Sequence, residues 1–279
     1  MKVLLTGATG FIGNHVLQAL SKLDLELVLL LRQPSRLESV NPSTEILKGD
    51  IETTDPKLVE KLAASDVMIH LAWSGLPNYR SLHHFEDELP KQYRFIKSLV
   101  EAGLKSVLVT GTCFEYGMQN GMLNESYITQ PSNSYALAKD TLRKQLESLK
   151  QEKPFALNWA RLFYMYGEGQ ASTSLYPSLK TAVEKGDKLF NMSGGQQLRD
   201  YLPVEAVADY IVALSLGAEE YGMVNICSGQ PVAVIDLVRH WISQNGWKIE
   251  LNPGVYPYPD YEAMEFWGDS TKLKAILAT

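Results

Sequence analysis

The first half of the chain carries its apolar residues in short unbroken runs rather than in alternation. Val3-Leu4-Leu5 lies inside residues 2–6, and Leu27 to Leu31 closes residues 25–31. A run without polar alternates belongs to a strand covered on both faces, as in a parallel sheet between helices. Further runs follow at 45–48, 66–71, 107–110 and 155–160, while 11–20, 86–102 and 134–150 read as helices. Strands and helices taking turns predict an α/β fold with a doubly wound parallel sheet. Beyond Arg161 the rhythm changes. Helices near 172–185, 204–216 and 237–244 are separated by glycines, aromatics and loop-forming runs such as Asn252-Pro-Gly and Tyr256-Pro-Tyr-Pro. Residues 1–160 are therefore expected to form the first domain. Residues 161–279 are expected to form a smaller C-terminal lobe, with part of 196–230 returning to that domain.

The turn after the first run gives the pattern chemical content. Gly7-Ala-Thr9-Gly10-Phe11-Ile12-Gly13 joins a predicted strand to a predicted helix. Gly7 allows the tight turn, Gly10 lets a pyrophosphate approach the main chain, and Gly13 lets the helix pack on the sheet. Amides at the helix start neutralise phosphate without a lysine. The Gly-Lys-Ser/Thr ending of an ATP-binding loop is missing. The context predicts a dinucleotide site, and with it a Rossmann-like sheet. At the end of the second strand, Arg32, assisted by Arg36, stands where an acidic residue would clamp the ribose of NAD. A guanidinium there suits the 2′-phosphate of NADP, so NADP is expected over NAD. Asp50 and Ile51 are placed at the adenine edge, Leu71 and Ala72 on the nicotinamide side. Thr9, Phe11, Ile12, Thr110 and Leu162 complete the expected cofactor set.

Tyr135 and Lys139 are one helical turn apart and face one groove. A nearby ammonium is expected to lower the Tyr135 phenol from its ordinary value near 10. Tyr135 then protonates a carbonyl oxygen during reduction, Lys139 tunes it, and Thr112 orients the oxygen by a hydrogen bond.

These segments together resemble the extended short-chain dehydrogenase/reductase family, in its nucleotide-sugar epimerase, dehydratase and reductase branch. The resemblance rests on Gly7 to Gly13, Asp50-Ile51, His70-Leu-Ala72, Thr110-Gly-Thr-Cys-Phe-Glu-Tyr-Gly117, Tyr135-x-x-x-Lys139 and Arg199-Asp-Tyr201, in that order over nearly the whole chain. It implies catalytic roles for Thr112, Tyr135 and Lys139, and contact of Tyr135 and Lys139 with the cofactor. It also implies a substrate lobe and a nucleotide-diphosphate sugar as partner. Asn133 and Tyr164 are candidates for substrate contact. Arg199 is placed on the diphosphate, with an ion pair to Asp200 as its alternative. Family dehydratases carry acids just after the catalytic threonine, where this chain has Cys113 and Phe114. Phe114 also replaces the cysteine of the related 3,5-epimerising enzymes. The expectation is NADPH-dependent reduction of an NDP-4-keto-6-deoxy-hexose at C4, in deoxysugar and surface-polysaccharide synthesis. An NAD-dependent nucleotide-sugar C4 epimerase and a non-catalytic dinucleotide-binding regulator are the alternatives.

Composition narrows the partners further. A formal charge of -6 gives no electrostatic case for nucleic acid or an anionic membrane. The two cysteines, Cys113 and Cys227, provide no disulfide framework, and His70, His83 and His84 lack metal-ligand spacing. No signal segment precedes the first strand, so a cytoplasmic enzyme is expected. The helices before Ala102 and after Ser134 offer faces for a homodimer.

Overall fold

The computed structural model describes residues 1–34, 43–217 and 219–278. Its elements run β1 (Lys2–Thr6), α1 (Phe11–Leu20), β2 (Glu26–Leu31), β3 (Glu45–Lys48), α2 (Pro56–Ala63), β4 (Val67–His70), α3 (Leu89–Glu101) and β5 (Ser106–Thr112). There follow β6 (Gly121–Leu123), α4 (Ser134–Glu152), β7 (Ala156–Leu162), β8 (Tyr164–Tyr166), α5 (Leu175–Glu184), β9 (Leu189–Asn191), β10 (Leu198–Pro203) and α6 (Val204–Leu216). The chain continues through β11 (Gly222–Ile226), β12 (Pro231–Ala233), α7 (Val234–Asn245), β13 (Glu250–Asn252), β14 (Phe266–Gly268) and α8 (Thr271–Leu277).

Seven strands form one sheet in the order β11-β7-β5-β4-β1-β2-β3, and every pairing in it is parallel. The continuous apolar runs are explained by what each face covers. Val3, Leu5, Leu27, Leu29 and Leu31 join α1 and α6 in one core, whereas Leu4, Val28 and Leu30 join α2, α3 and α4 in another. Successive side chains point to opposite faces, so both faces must be apolar when both are covered. The order reverses direction between β1 and β4, which opens a crevice at their carboxyl ends.

The remainder builds smaller layers: a sheet of β12-β10-β8, and the pairs β13-β9 and β14-β6. Leu179, Phe190, Val238, Trp241 and Ile249 form a separate core for α5 and α7. β11 returns to the edge of the large sheet beside β7. No helix among the described residues is long and apolar enough to cross a membrane.

Several boundaries differ from the sequence reading. Helix α2 was not anticipated, although Asp55 caps it by accepting from the Lys57 amide at 3.1 Å and Pro56 opens it. The first residues of the helix expected over 86–102 belong instead to a π-helical turn, His84–Glu88, and α3 begins at Leu89. β5 extends two residues further than expected, to Thr112, where a short 3₁₀ turn begins.

Candidate active site

The glycine turn has the geometry its sequence requires. Gly7 adopts φ +74°, and a Cβ there would lie 2.7 Å from the Ala72 nitrogen. At Gly13 a Cβ would come within 2.0 Å of the Gly7 carbonyl oxygen, so only glycine lets α1 seat against the turn. Gly10 caps α1 with no side chain over the helix start, which leaves its first-turn amides open to an anion. Beside this turn lies a cleft of about 580 Å³. Thr6, Gly7, Thr9, Gly10, Arg32, Asp50, Ile51, Leu71 and Ala72 line it, joined by Trp73, Ser74, Glu88, Lys91 and Gln92. The open amides, close-approach glycines and adjoining cleft fit a dinucleotide whose pyrophosphate meets α1. Phe11, Ile12 and Gly13 belong to the first turn of α1 rather than to the cleft lining. Arg32 Nε stands 3.6 Å from Asp50 Oδ2, so the two residues expected at the adenosine end face each other. Arg36 lies outside the described residues.

The residues expected to react lie around the end of β5. Thr112, which pairs in register with Leu162 of β7, ends the strand. Its Oγ1 caps the following turn by accepting from the Phe114 amide at 3.3 Å. Asn133 caps α4 through the Ala136 amide, and α4 then presents Tyr135 and Lys139 toward β5. Lys139 Nζ donates to the Thr110 carbonyl at 2.9 Å. The same ammonium lies 4.0 Å from the centre of the Trp73 ring. Rings of Trp73, Tyr79 and His84 surround Tyr135, with centroids 5.9, 5.6 and 5.3 Å away.

Electrostatics here correct one expectation. Burial, reinforced by Tyr79, Glu115 and Cys113, drives the Tyr135 phenol well above its ordinary value instead of lowering it. The ammonium sits 5.9 Å from the Tyr135 ring centre, and burial pushes Lys139 itself down to about 7. A protonated phenol is the form that gives a proton to a developing alkoxide.

A buried polar chain backs the cleft. Gln92 Nε2 donates to the Ala72 carbonyl and to Glu88, at 3.0 and 2.9 Å, so its Oε1 must face His70. His70 therefore donates from Nε2 to Gln92 Oε1 at 2.5 Å and accepts at Nδ1 from Thr6 Oγ1 at 2.9 Å. Glu88 further accepts from the Ser74 hydroxyl and amide. Burial lowers His70 to about 4. An unfolded imidazole takes its proton near 6.5, so the unfolded state binds more protons between these values, and stability is lost as pH falls through that window. Equilibrium unfolding should show this group removing about 3 kcal/mol between pH 6.5 and 4. His70→Asn should lack that component, so the stability gap between wild type and variant narrows on acidification. A constant gap would contradict the assignment.

The substrate-side candidates separate into two kinds. Asn133 Nδ2 and Tyr164 Oη are buried without hydrogen-bond partners. Arg199, by contrast, is internally committed: it pairs with Glu262 at 2.9 Å and donates to the carbonyls of Leu198 and Met264. Its ion-pair partner is thus Glu262 and not Asp200. The Asp200 carboxylate accepts from Ser228 and Gly229, tying β10 to the segment after β11. The Arg199 guanidinium also lies 4.5 Å from the Phe266 ring centre. Tyr79, Phe114 and Tyr261 pack against one another above Tyr135, making the approach to it aromatic.

Residues 3–227 match the NAD dependent epimerase/dehydratase family. The chain belongs to that family. Among its relatives in the family, a dTDP-6-deoxy-L-talose 4-dehydrogenase (NAD(+)) of Aggregatibacter actinomycetemcomitans is 27% identical over 270 residues, covering 96% of this chain and 99% of the relative. A GDP-6-deoxy-D-talose 4-dehydrogenase of the same organism is 26% identical over 286 residues, covering 99% and 91%. The fold is shared with the UDP-N-acetylglucosamine 4-epimerase of Methanobrevibacter ruminantium, at TM-score 0.87 and 21% identity over 99% of this chain and 91% of that one.

Within this family member, several cleft residues had not been singled out by sequence reasoning. Trp73 follows directly on Ala72, yet one tryptophan in a loop carries no signal of its use. Glu88 and Gln92 reach the cleft through the π turn and the start of α3, whose register a helical periodicity does not disclose. Glu115, which is buried, and Glu262, which is mostly covered, are partners of arginines on strands, contacts that only the tertiary fold makes.

Proposed function

We propose that this chain catalyses NADPH-dependent reduction of the 4-keto group of an NDP-4-keto-6-deoxy-hexose, giving an NDP-deoxysugar. The observation that carries the reading is that Thr112 ends β5, Lys139 donates to Thr110 of the same strand, and Tyr135 and Lys139 both pack beside Trp73, which lines the cleft. The dinucleotide supplies the hydride when bound. Tyr135, held protonated by its buried setting, gives its proton to the C4 oxygen. Thr112 orients that oxygen, and Lys139 places positive charge beside the oxyanion that Tyr135 becomes. Asn133 Nδ2 and Tyr164 Oη are donors awaiting acceptors, as hydroxyls or phosphate of a sugar nucleotide provide. Cys113 and Phe114 offer no carboxylate for water elimination. The 4-dehydrogenase relatives support the class of reaction, since ketone reduction and alcohol oxidation at one carbon are one step in opposite directions.

A second reading, NAD-dependent C4 epimerisation, draws support from Asp50, whose carboxylate faces Arg32 and suits a ribose hydroxyl better than a phosphate. Net cofactor change separates the two. A reductase consumes one reduced dinucleotide per sugar, and an epimerase consumes none. If Arg32 reads the 2′-phosphate, Arg32→Ala should weaken NADPH binding about 10- to 100-fold and leave NADH within a few-fold, the loss of a charged hydrogen bond. Titration by nucleotide fluorescence measures both. Equal weakening of the two cofactors would remove the NADP preference.

A further inference from the structure

We propose that Glu115 is the positioning residue of the reacting trio, a buried carboxylate that fixes the Thr112 main chain and places negative charge on the stretch of β5 that Lys139 also contacts. This rests on the reading of Thr112, Tyr135 and Lys139 as the reacting groups, in either direction of reaction.

Glu115 is wholly buried, as is its partner Arg161. Glu115 Oε1 accepts from the Thr112 amide at 2.8 Å and from Trp159 Nε1 at 3.0 Å, while Oε2 accepts from Arg161 Nε at 2.8 Å. Lys139 donates to the carbonyl of Thr110, two residues before that amide. A carbonyl and an amide two residues apart on an extended strand point to the same edge, so the carboxylate and the ammonium address one stretch of β5. Gly111 lies between them, and a Cβ there would fall 2.4 Å from Glu115 Oε1. The glycine gap is what lets the carboxylate approach.

Stability alone does not account for this arrangement. A buried ion pair is often no more stabilising than apolar side chains of the same volume. Here Arg161 Nη1 has no hydrogen-bond partner, its guanidinium lying over the Tyr116 ring at 4.4 Å, so the pair's hydrogen bonding is incomplete. What the carboxylate adds is charge at a chosen place. The groups around Lys139 are His70 at the end of β4, Trp73 in the loop after it, His84 and Glu88 in the π turn, Tyr135 on α4, and Glu115 in the turn after β5. Of these, Glu115 and Glu88 are the carboxylates that favour the charged ammonium, Glu115 more strongly, against the burial that opposes it. The same charge favours the protonated form of Tyr135. Removing it therefore lowers the proton affinity of both groups.

The test is the pH dependence of turnover in Glu115→Gln, where the amide keeps the size and one acceptor toward Thr112. The basic limb of kcat should move to lower pH by about one unit, the size expected for loss of one nearby buried charge. The double variant E115Q/R161M, which also removes the cation that glutamine leaves uncompensated, should show a displacement in the same direction but smaller, because loss of the cation raises the proton affinities in part. R161M alone, which retains the carboxylate, should lose stability without moving the limb downward. A folded E115Q or double variant with the wild-type limb would overturn the proposal. Failure of both variants to fold would also overturn it, by assigning Glu115 to the fold alone. Tyr135→Phe keeps the two readings apart: retained turnover there would remove the catalytic trio itself. With Tyr135→Phe inactive, an unshifted limb counts against Glu115 only.

Discussion

Tyr135→Phe should lose turnover by about 10²- to 10⁴-fold, the range that a positioned general acid contributes. Dinucleotide binding should survive. Tyr135 does not line the cleft, and phenylalanine retains the ring that packs with Trp73, Tyr79 and His84. The expected signature is thus a fall in kcat with near wild-type cofactor affinity, read by steady-state kinetics beside calorimetric titration. Full turnover in the variant would exclude the phenol as acid. Equal loss of binding would mean that the hydroxyl serves cofactor binding rather than proton transfer. The same experiment addresses the non-catalytic alternative, because a regulator has no turnover for the substitution to remove.

Gly13→Val should abolish dinucleotide binding and destabilise the fold by about 3 kcal/mol or more, as forced overpacking against main chain does. The added Cβ would meet the Gly7 carbonyl at 2.0 Å and the Ala8 Cα at 2.9 Å, neither of which is the far end of a flexible side chain. Relief requires α1 to lift from the turn, which carries away the open amides of its first turn and its packing on α6. Gly103→Ala is a useful control. That position also has positive φ, +114°, but nothing lies within 4 Å of its Cβ, so the variant carries only local backbone strain and leaves cofactor affinity unchanged. Unfolding curves and cofactor titrations on both variants test the contrast. Wild-type binding in Gly13→Val would mean the turn is not the phosphate cradle.

How much of this was legible in the sequence follows from what each signal encodes. The buried strands announced themselves because both faces of the large sheet are covered, which forces Leu27 to Leu31 to be apolar without interruption. The dinucleotide turn was legible because Gly7 and Gly13 answer local backbone demands. Tyr135 and Lys139 share a helix, so their spacing alone puts them on one face. The state of Tyr135 was not legible. Its proton affinity depends on how deeply Trp73, Tyr79 and His84 bury it, and these come from other segments. Arg199 shows the same limit. Its neighbour in sequence is Asp200, but β10 directs the two side chains to different partners, and Glu262 arrives from more than sixty residues away. Arg32 carries an ambiguity of its own, since a cation beside Asp50 has two ways to meet an adenosine ribose.

The most direct measurement of the central claim follows one hydrogen. Reduced dinucleotide carrying deuterium at the transferring C4 of its ring is supplied with an NDP-4-keto-6-deoxy-hexose in ordinary water. Proton NMR and mass spectrometry of the sugar should find the label at the sugar's C4, one per product molecule and one per dinucleotide oxidised. Label left in the cofactor, or product whose C4 hydrogen comes from water, would contradict the account.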